Sequence, residues 1–303
     1  MPIRQITIVG TGLIGGSLGL ALKKHGFLGR IVGADRAPVL ERAERKGAID
    51  AGFVNFTSAV RGSQVVVLAT PVGAIIDFIG GSGRSLAAKT LLTDVGSTKQ
   101  EVVEKAKEIF GAQVGRRFLA GHPMAGKEQA GVDFADADLF QGAAWFLTPF
   151  PGQNIWQGLS GEWLGWLERI GARVASLEPE EHDQLCAWIS HLPQMISTAL
   201  AAVLVDEYGE QAPLLEAGGR ALREMTRIAS SPYSMWRDIA LTNRKPIQQA
   251  LLKLEQRLAH MRENLDTREL EIEFERAHHL RRPLAGAEGE RGALLKSSGG
   301  KDH

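Results

Sequence analysis

The chain has 303 residues, 44% hydrophobic and 23% charged, enough for a substantial core shared between about two domains. Lys plus Arg and Asp plus Glu each number 35, so the formal charge is zero and nucleic acid, which a strongly basic surface would attract, is not expected as a partner. No stretch reads as a span of roughly 20 apolar residues and no basic, cleavable leader precedes the first strand, so no membrane is expected and the expected location is cytoplasmic. Cys186 is the single cysteine, which excludes an intrachain disulfide and any cysteine-clustered zinc site; it is expected to be small core filler, and no metal is expected.

In chain order, the first informative stretch is Arg4–Leu22, where the β-formers Ile6, Thr7, Ile8 and Val9 run into Gly10-Thr11-Gly12-Leu13-Ile14-Gly15 and then a helix. A strand ending in G-x-G-x-x-G suits a dinucleotide: Gly10 allows the tight turn, Gly12 lets backbone amides reach a pyrophosphate, and Gly15 lets helix and strand pack closely. The phosphates are then expected on the helix N-terminus, at Leu13 and Ile14. A second strand, Arg30–Ala34, closes on Asp35, 23 positions beyond Gly12, near the spacing of roughly 20 at which an acid holds the ribose hydroxyls. Its charge would repel a 2′-phosphate, so NAD is favoured. Arg36, which could stack on adenine or reach such a phosphate, leaves NADP as the weaker alternative.

A polar helix over Pro38–Lys46 leads to Ala51–Val54, and Gln64–Thr70 forms an apolar run of the kind found in buried parallel strands, with Thr70 and Pro71 at its cofactor end. The strand Thr90–Val95 carries Gly96-Ser97-Thr98-Lys99 into an amphipathic helix over Gln100–Phe110. Phe118–Ala120 opens into Gly121-His122-Pro123-Met124-Ala125-Gly126-Lys127-Glu128, and Ala143–Leu147 and Arg173–Leu177 flank the helix Glu162–Ile170. This rhythm predicts an α/β chain with an N-terminal Rossmann-type, doubly wound parallel sheet of seven or eight strands over residues 1–178. From Pro179 the β signal vanishes, which predicts an all-helical substrate and dimerisation domain over 179–284 and a disordered tail over 285–303. Apolar positions such as Ile196, Leu200, Val203, Leu204, Leu251, Leu254 and Leu258 exceed what isolated helices would bury, and a homodimer through these helices is expected.

Ligands of an open parallel sheet lie beyond its C-terminal strand ends, which makes Ser97 and His122 the first candidates for chemistry. A neutral imidazole held in a Gly-Pro-Gly loop could be a general base; Ser97 could orient it, or simply cap the following helix. Glu128 reads equally as a gate at the site mouth or a solvated charge. Arg220, Arg223 and Arg227 fall on one helical face, a natural clamp for a carboxylate, with Trp236-Arg237-Asp238 soon after. His182 and His191, nine apart, would lie on opposite faces of a regular helix; beside Pro193, His191 is the stronger site candidate, and His182 could belong to a charged first turn.

Taken together, Gly10-x-Gly12-x-x-Gly15, Asp94-Val95-Gly96-Ser97-Thr98-Lys99, Gly121–Glu128, Ser190-His191-Leu192-Pro193, Thr226-Arg227-Ile228-Ala229 and Met235-Trp236-Arg237-Asp238 resemble the prephenate dehydrogenase and arogenate dehydrogenase family over about residues 1–282. The resemblance implies an enzyme that oxidatively decarboxylates prephenate to 4-hydroxyphenylpyruvate with NAD, or acts on arogenate to give tyrosine directly. It implies His122 as the acceptor of the ring hydroxyl's hydrogen bond, Ser97 as its assistant, Arg227 on a substrate carboxylate, and His191 and Trp236 in the substrate pocket. Two alternatives stand beside it. A β-hydroxyacid dehydrogenase would need a lysine early in the helical part, where none occurs between Lys127 and Lys245. A non-catalytic dinucleotide-binding protein gives no reason for His122, Ser97 and Arg227 to occur together.

Overall fold

The computed structural model describes residues 2–209 and 217–282. Eight strands form one sheet: β1 (Gln5–Val9), β2 (Arg30–Ala34), β3 (Ala51–Phe53), β4 (Val65–Leu68), β5 (Leu91–Asp94), β6 (Phe118–Pro123), β7 (Ala144–Thr148) and β8 (Arg173–Ser176). Their order, β3-β2-β1-β4-β5-β6-β7-β8, reverses direction between β1 and β4, which opens a crevice at the C-terminal ends of those strands. Alternate residues feed opposite faces. Val65, Val67 and Leu119 join one core with Ile6, Ile8, Leu18, Trp145 and Trp163, while Val66, Leu68, Phe118 and Ala120 join another with Ile75, Ile79, Val102 and Val103.

Two features depart from the expected parallel sheet. β7 runs antiparallel to β6, pairing His122 with Phe146, before β8 returns parallel to β7. The reason is the connection: between β6 and β7 the chain has only the short turn Val132–Phe134, whereas the helix Gly158–Arg169 provides the crossover that parallel pairing of β7 and β8 requires. The β6 strand also runs through His122 to Pro123, so the histidine stands in the sheet rather than in a loop beyond it.

After β8 come the helices Pro179–Cys186, Leu192–Tyr208, Arg220–Thr226, Tyr233–Thr242 and Arg244–Glu263, and a helical stretch over 268–282. Between the first two lies a π turn, Ala187–His191, closed by a bond from the Leu192 N–H to the Ala187 carbonyl. A wide turn of this kind accommodates the nearby proline, since Pro193 has no N–H to offer a regular ladder. By length and composition the 30-residue run Pro179–Tyr208 could cross a membrane. Its first half, however, buries His182, Asp183 and His191.

Cα packing divides the chain into two compact units, Met1–Ile247 and Gln248–His303. The helices from Pro179 to Thr242 therefore pack with the sheet, although composition changes near residue 178. The tail expected over 285–303 lies outside the described residues.

Candidate active site

At the nucleotide end, the glycines do distinct jobs. Gly10 takes φ +88°, and a Cβ there would sit 2.5 Å from the Ala69 carbonyl oxygen; one on Gly15 would sit 2.0 Å from the Gly10 carbonyl oxygen. Gly12 has nothing within 4 Å of its Cβ position, so the space above the turn is open. The helix Leu13–Lys24 begins there without a side-chain cap, and its first-turn amides at Leu13, Ile14 and Gly15 lack intrahelical acceptors. Asp35 stands half-buried at the end of β2, where its carboxylate accepts from the Thr11 N–H at 2.8 Å and the Arg36 N–H at 2.7 Å. Arg36 is exposed, and Thr70 and Pro71 follow β4 across the crevice. An open cradle, free amides and a terminal carboxylate form a donor and acceptor set that fits a dinucleotide.

On the neighbouring strands, β5 and β6 lie parallel; Ser97 follows the end of β5 in the chain after Asp94, and His122 stands in the C-terminal half of β6. His122 is buried, and its Nδ1 lies 2.9 Å from Nε2 of His182, whose Nδ1 lies 2.8 Å from Oδ1 of Asp183. The same carboxylate accepts the Lys99 N–H at 2.7 Å and the Gln100 N–H at 2.9 Å. Asp183, reaching over from another helix, thus caps the helix Gln100–Phe110; the structure gives that role to Asp183 and not to Ser97, which is half-buried two residues before the cap position. A carboxylate only accepts, so the chain has one consistent proton arrangement: His182 donates from Nδ1 to Asp183, and His122 donates from Nδ1 to His182. Nε2 of His122 keeps its lone pair.

Burial, with Coulombic contributions from His182, Lys99 and His191, holds His122 well below its usual 6.5, so this imidazole is neutral. His182 is lowered too, by burial, against the opposing pull of its bond to Asp183. Cys186 is not mere filler: its Sγ lies 3.5 Å from His182 Nε2 and 3.9 Å from His122 Nδ1, and burial pushes its thiol up to about 12. Beneath the pair, the fully buried Lys99 ammonium meets Asp94 and donates to the Gly121 carbonyl at 2.8 Å, while Asp94 accepts from the N–H groups of Gly96 and Gly121. That ion pair ties the end of β5 to the backbone beside His122.

The remaining candidates form two pairs. His191 and Trp236 meet edge to face with ring centroids 5.8 Å apart. Asn243 donates from Nδ2 to the Asp183 carbonyl at 2.7 Å and lies 3.1 Å from Nδ1 of His191; the amide hydrogen makes that nitrogen an acceptor and puts the histidine's proton on Nε2. His191 Nε2 and Trp236 Nε1 are buried without a hydrogen-bond partner among the described residues. Two N–H donors so left suit an acceptor group on a ligand. Burial lowers the His191 pKa to about 4. Arg227 pairs with Glu128 at 2.9 Å, Arg227 being largely exposed and Glu128 half-buried.

The arginine face expected from spacing does not survive as one face. The helix ends at Thr226, Arg227 opens the 3₁₀ turn Arg227–Ser230, Arg220 pairs with Glu224, and Arg223 donates to the Gly218 carbonyl. His182 likewise does not simply belong to the charged first turn of Glu180 and Glu181, because its side chain is fully buried against His122. The π turn inserts one residue and sets the following helix back by about 100°, so His182 and His191 do not oppose each other as regular spacing implies. Asp183 and Asn243 are not legible as site residues in the sequence: an acid beside His182 and ahead of a helical apolar run is the local signal of Asp183, and Asn243 has none.

Comparison with known proteins gives a consistent set of matches. The family model described as prephenate dehydrogenase, nucleotide-binding domain, matches residues 18–174, and that described as prephenate dehydrogenase, dimerization domain, matches 178–280. A prephenate dehydrogenase of Bacillus subtilis (strain 168) is 38% identical over 250 residues, which are 80% of this chain and 65% of that protein. This chain therefore spans just under two thirds of that relative's length. A cyclohexadienyl dehydrogenase of Zymomonas mobilis is 30% identical over 79% of this chain and 81% of its own. Among solved structures, the prephenate dehydrogenase of A. aeolicus in complex with hydroxyphenyl propionate and NAD+ superposes with a TM-score of 0.78 at 29% identity, covering 97% of this chain and 99% of that one.

Proposed function

This chain belongs to the prephenate dehydrogenase family, and we propose that it oxidatively decarboxylates prephenate to 4-hydroxyphenylpyruvate with NAD, a step of tyrosine biosynthesis in the cytoplasm. The second reading, arogenate converted directly to tyrosine, is favoured by the similarity to a cyclohexadienyl dehydrogenase. What carries the reading is the His122–His182–Asp183 chain, which presents a neutral imidazole with a free Nε2 lone pair at a strand end. Residues 1–178 serve as the dinucleotide-binding part and 179–284 as the substrate and dimerisation part. Neither nucleic acid nor a membrane has a role in this reading. Incubating the protein with NAD and each substrate in turn, following NADH and identifying the product, tests it: no NADH with either substrate rejects it.

NAD, when bound, supplies the hydride acceptor. Gly10, Gly12, Gly15 and the amides of Leu13 and Ile14 hold its pyrophosphate, Asp35 its ribose, Arg36 its adenine side, with Thr70 and Pro71 closing the crevice. His122 draws the proton from the substrate's ring hydroxyl onto Nε2, and Ser97 assists from the neighbouring strand end. The imidazolium that forms donates from Nδ1 to His182, and the Asp183 carboxylate beyond stabilises its charge. Departure of CO₂ follows from aromatisation of the ring. Trp236 and His191 direct N–H groups that have no partner among the described residues at an acceptor of the substrate, and Arg227, with Glu128 as its gate, takes a carboxylate.

Asp35→Ser is expected to narrow the ratio of NAD to NADP efficiency, because the charge that repels a 2′-phosphate is gone; steady-state kinetics with both cofactors measures it, and a wild type preferring NADP contradicts the assignment. Arg227→Ala raises substrate KM about ten- to a hundredfold, the equivalent of losing one charge-assisted contact of roughly 1.5–3 kcal/mol; an unchanged KM reassigns the arginine to structure. The chain is expected to sediment as a homodimer at micromolar concentration. In the first unit Trp188, Ile189, Val203, Val205 and Tyr208 are exposed, and in the second Leu252, Leu258, Leu265, Phe274 and Leu280, apolar surface that a second copy would cover. A stable monomer contradicts it.

A further inference from the structure

The imidazoles of His122 and His182 and the thiol of Cys186 bring three metal-ligating atoms together in the interior, all three residues being buried. Nδ1 of His122 and Nε2 of His182 are 2.9 Å apart, and Sγ of Cys186 lies 3.9 Å from the first and 3.5 Å from the second. Around a tetrahedral dication with bonds of about 2.0–2.1 Å to nitrogen and about 2.3 Å to sulfur, the nitrogen–nitrogen edge is about 3.3 Å and each nitrogen–sulfur edge about 3.5–3.6 Å. The two sulfur edges bracket the required length, and the imidazoles need to part by only about 0.4 Å.

Two further observations fit the same ligand. The outer nitrogen of His182 is already bonded to the Asp183 carboxylate at 2.8 Å, the carboxylate–histidine arrangement that orients and strengthens a metal-binding imidazole. The local charge also matches. Lys99 and Asp94 cancel each other, which leaves the Asp183 carboxylate, and loss of the thiol proton would add a second negative charge to balance a dication.

We propose that His122, His182 and Cys186 form a binding site for a thiophilic dication of the zinc class, and that its occupation switches off the base. In the proton arrangement that Asp183 dictates, Nδ1 of His122 carries the hydrogen and Nε2 the lone pair. Coordination through Nδ1 reverses this: the ring proton passes to Nε2 through solvent, the thiol proton is released, and His182 binds through the lone pair it already directs inward. With hydrogen on Nε2, His122 has no lone pair for the substrate hydroxyl. The inhibitory half rests on His122 being the base; binding does not.

The test uses the full chain freed of metal with chelator and titrated with Co²⁺, then Zn²⁺. The expected result is one strongly bound cobalt per chain with a thiolate-to-cobalt charge-transfer band, its displacement by zinc, and dehydrogenase activity lost in step and restored by EDTA. Cys186→Ser should remove the band and, measured against its own metal-free rate, raise the zinc concentration needed for inhibition by at least about tenfold. A folded wild-type protein that shows no charge-transfer band at equimolar cobalt, or a Cys186→Ser variant equally sensitive to zinc, overturns the proposal. A band that forms while activity stays intact upholds the site and overturns instead the reading of His122 as the base.

Discussion

His122→Asn is expected to lower kcat by about 10²–10⁴ while substrate KM changes little, the signature of a lost general base. Asparagine keeps a side-chain amide near His182 but has no lone pair of comparable basicity, so binding contacts survive and proton transfer does not. The pH profile is the second part of the result. Because only the neutral imidazole accepts the proton, and because burial and its neighbours hold His122 well below 6.5, the wild-type acidic limb falls well below pH 6.5, not at the ordinary histidine value. The variant loses that limb. Rate measurements from pH 4 to 8 on folded, NAD-binding protein decide the matter: near-normal kcat in the variant, or an unchanged limb, places the base elsewhere.

Lys99→Met is expected to destabilise the fold by about 3–5 kcal/mol. Lys99 and Asp94 are both fully buried, and removing the ammonium leaves a carboxylate with two backbone N–H donors but no counter-charge. The accompanying Asp94→Asn change should recover much of the loss, since the amide oxygen still accepts a backbone N–H and neither member of the former pair is then charged. Urea denaturation of the wild type, the single variant and the double variant measures this. A loss under about 1 kcal/mol for the single variant would mean that water reaches Asp94.

The sheet is readable because its strands announce themselves: Val65–Leu68 is buried on both faces and so uninterruptedly apolar, and Gly10 and Gly15 stand where a Cβ cannot. The direction of β7 is not, because nothing in Ala144–Thr148 records whether a helix precedes it. Within the site, His122, His191, Trp236, Arg227 and Glu128 stand out from sequence, and the structure brings the last four together in two pairs. His182 is misjudged because the phase argument assumes a regular helix, and a single π turn changes the phase. Asp183 and Asn243 act through contacts to residues 52 to 84 positions away, for which local pattern has no counterpart.

The cap that Asp183 places on the helix Gln100–Phe110 bears on the order of assembly. A ribosome delivers Lys99 and Gln100 some eighty residues before the carboxylate that receives their N–H groups. Until then the nascent chain can pair β1 to β6, yet the helix after β5 starts without its acceptor and His122 has no partner to set its tautomer. Closing so long a loop comes late, since its entropy must be met before the contact rewards it. A chain halted near residue 178 would thus carry the nucleotide crevice with His122 unaligned, and that imidazole gains its partner only as the helix Pro179–Cys186 docks.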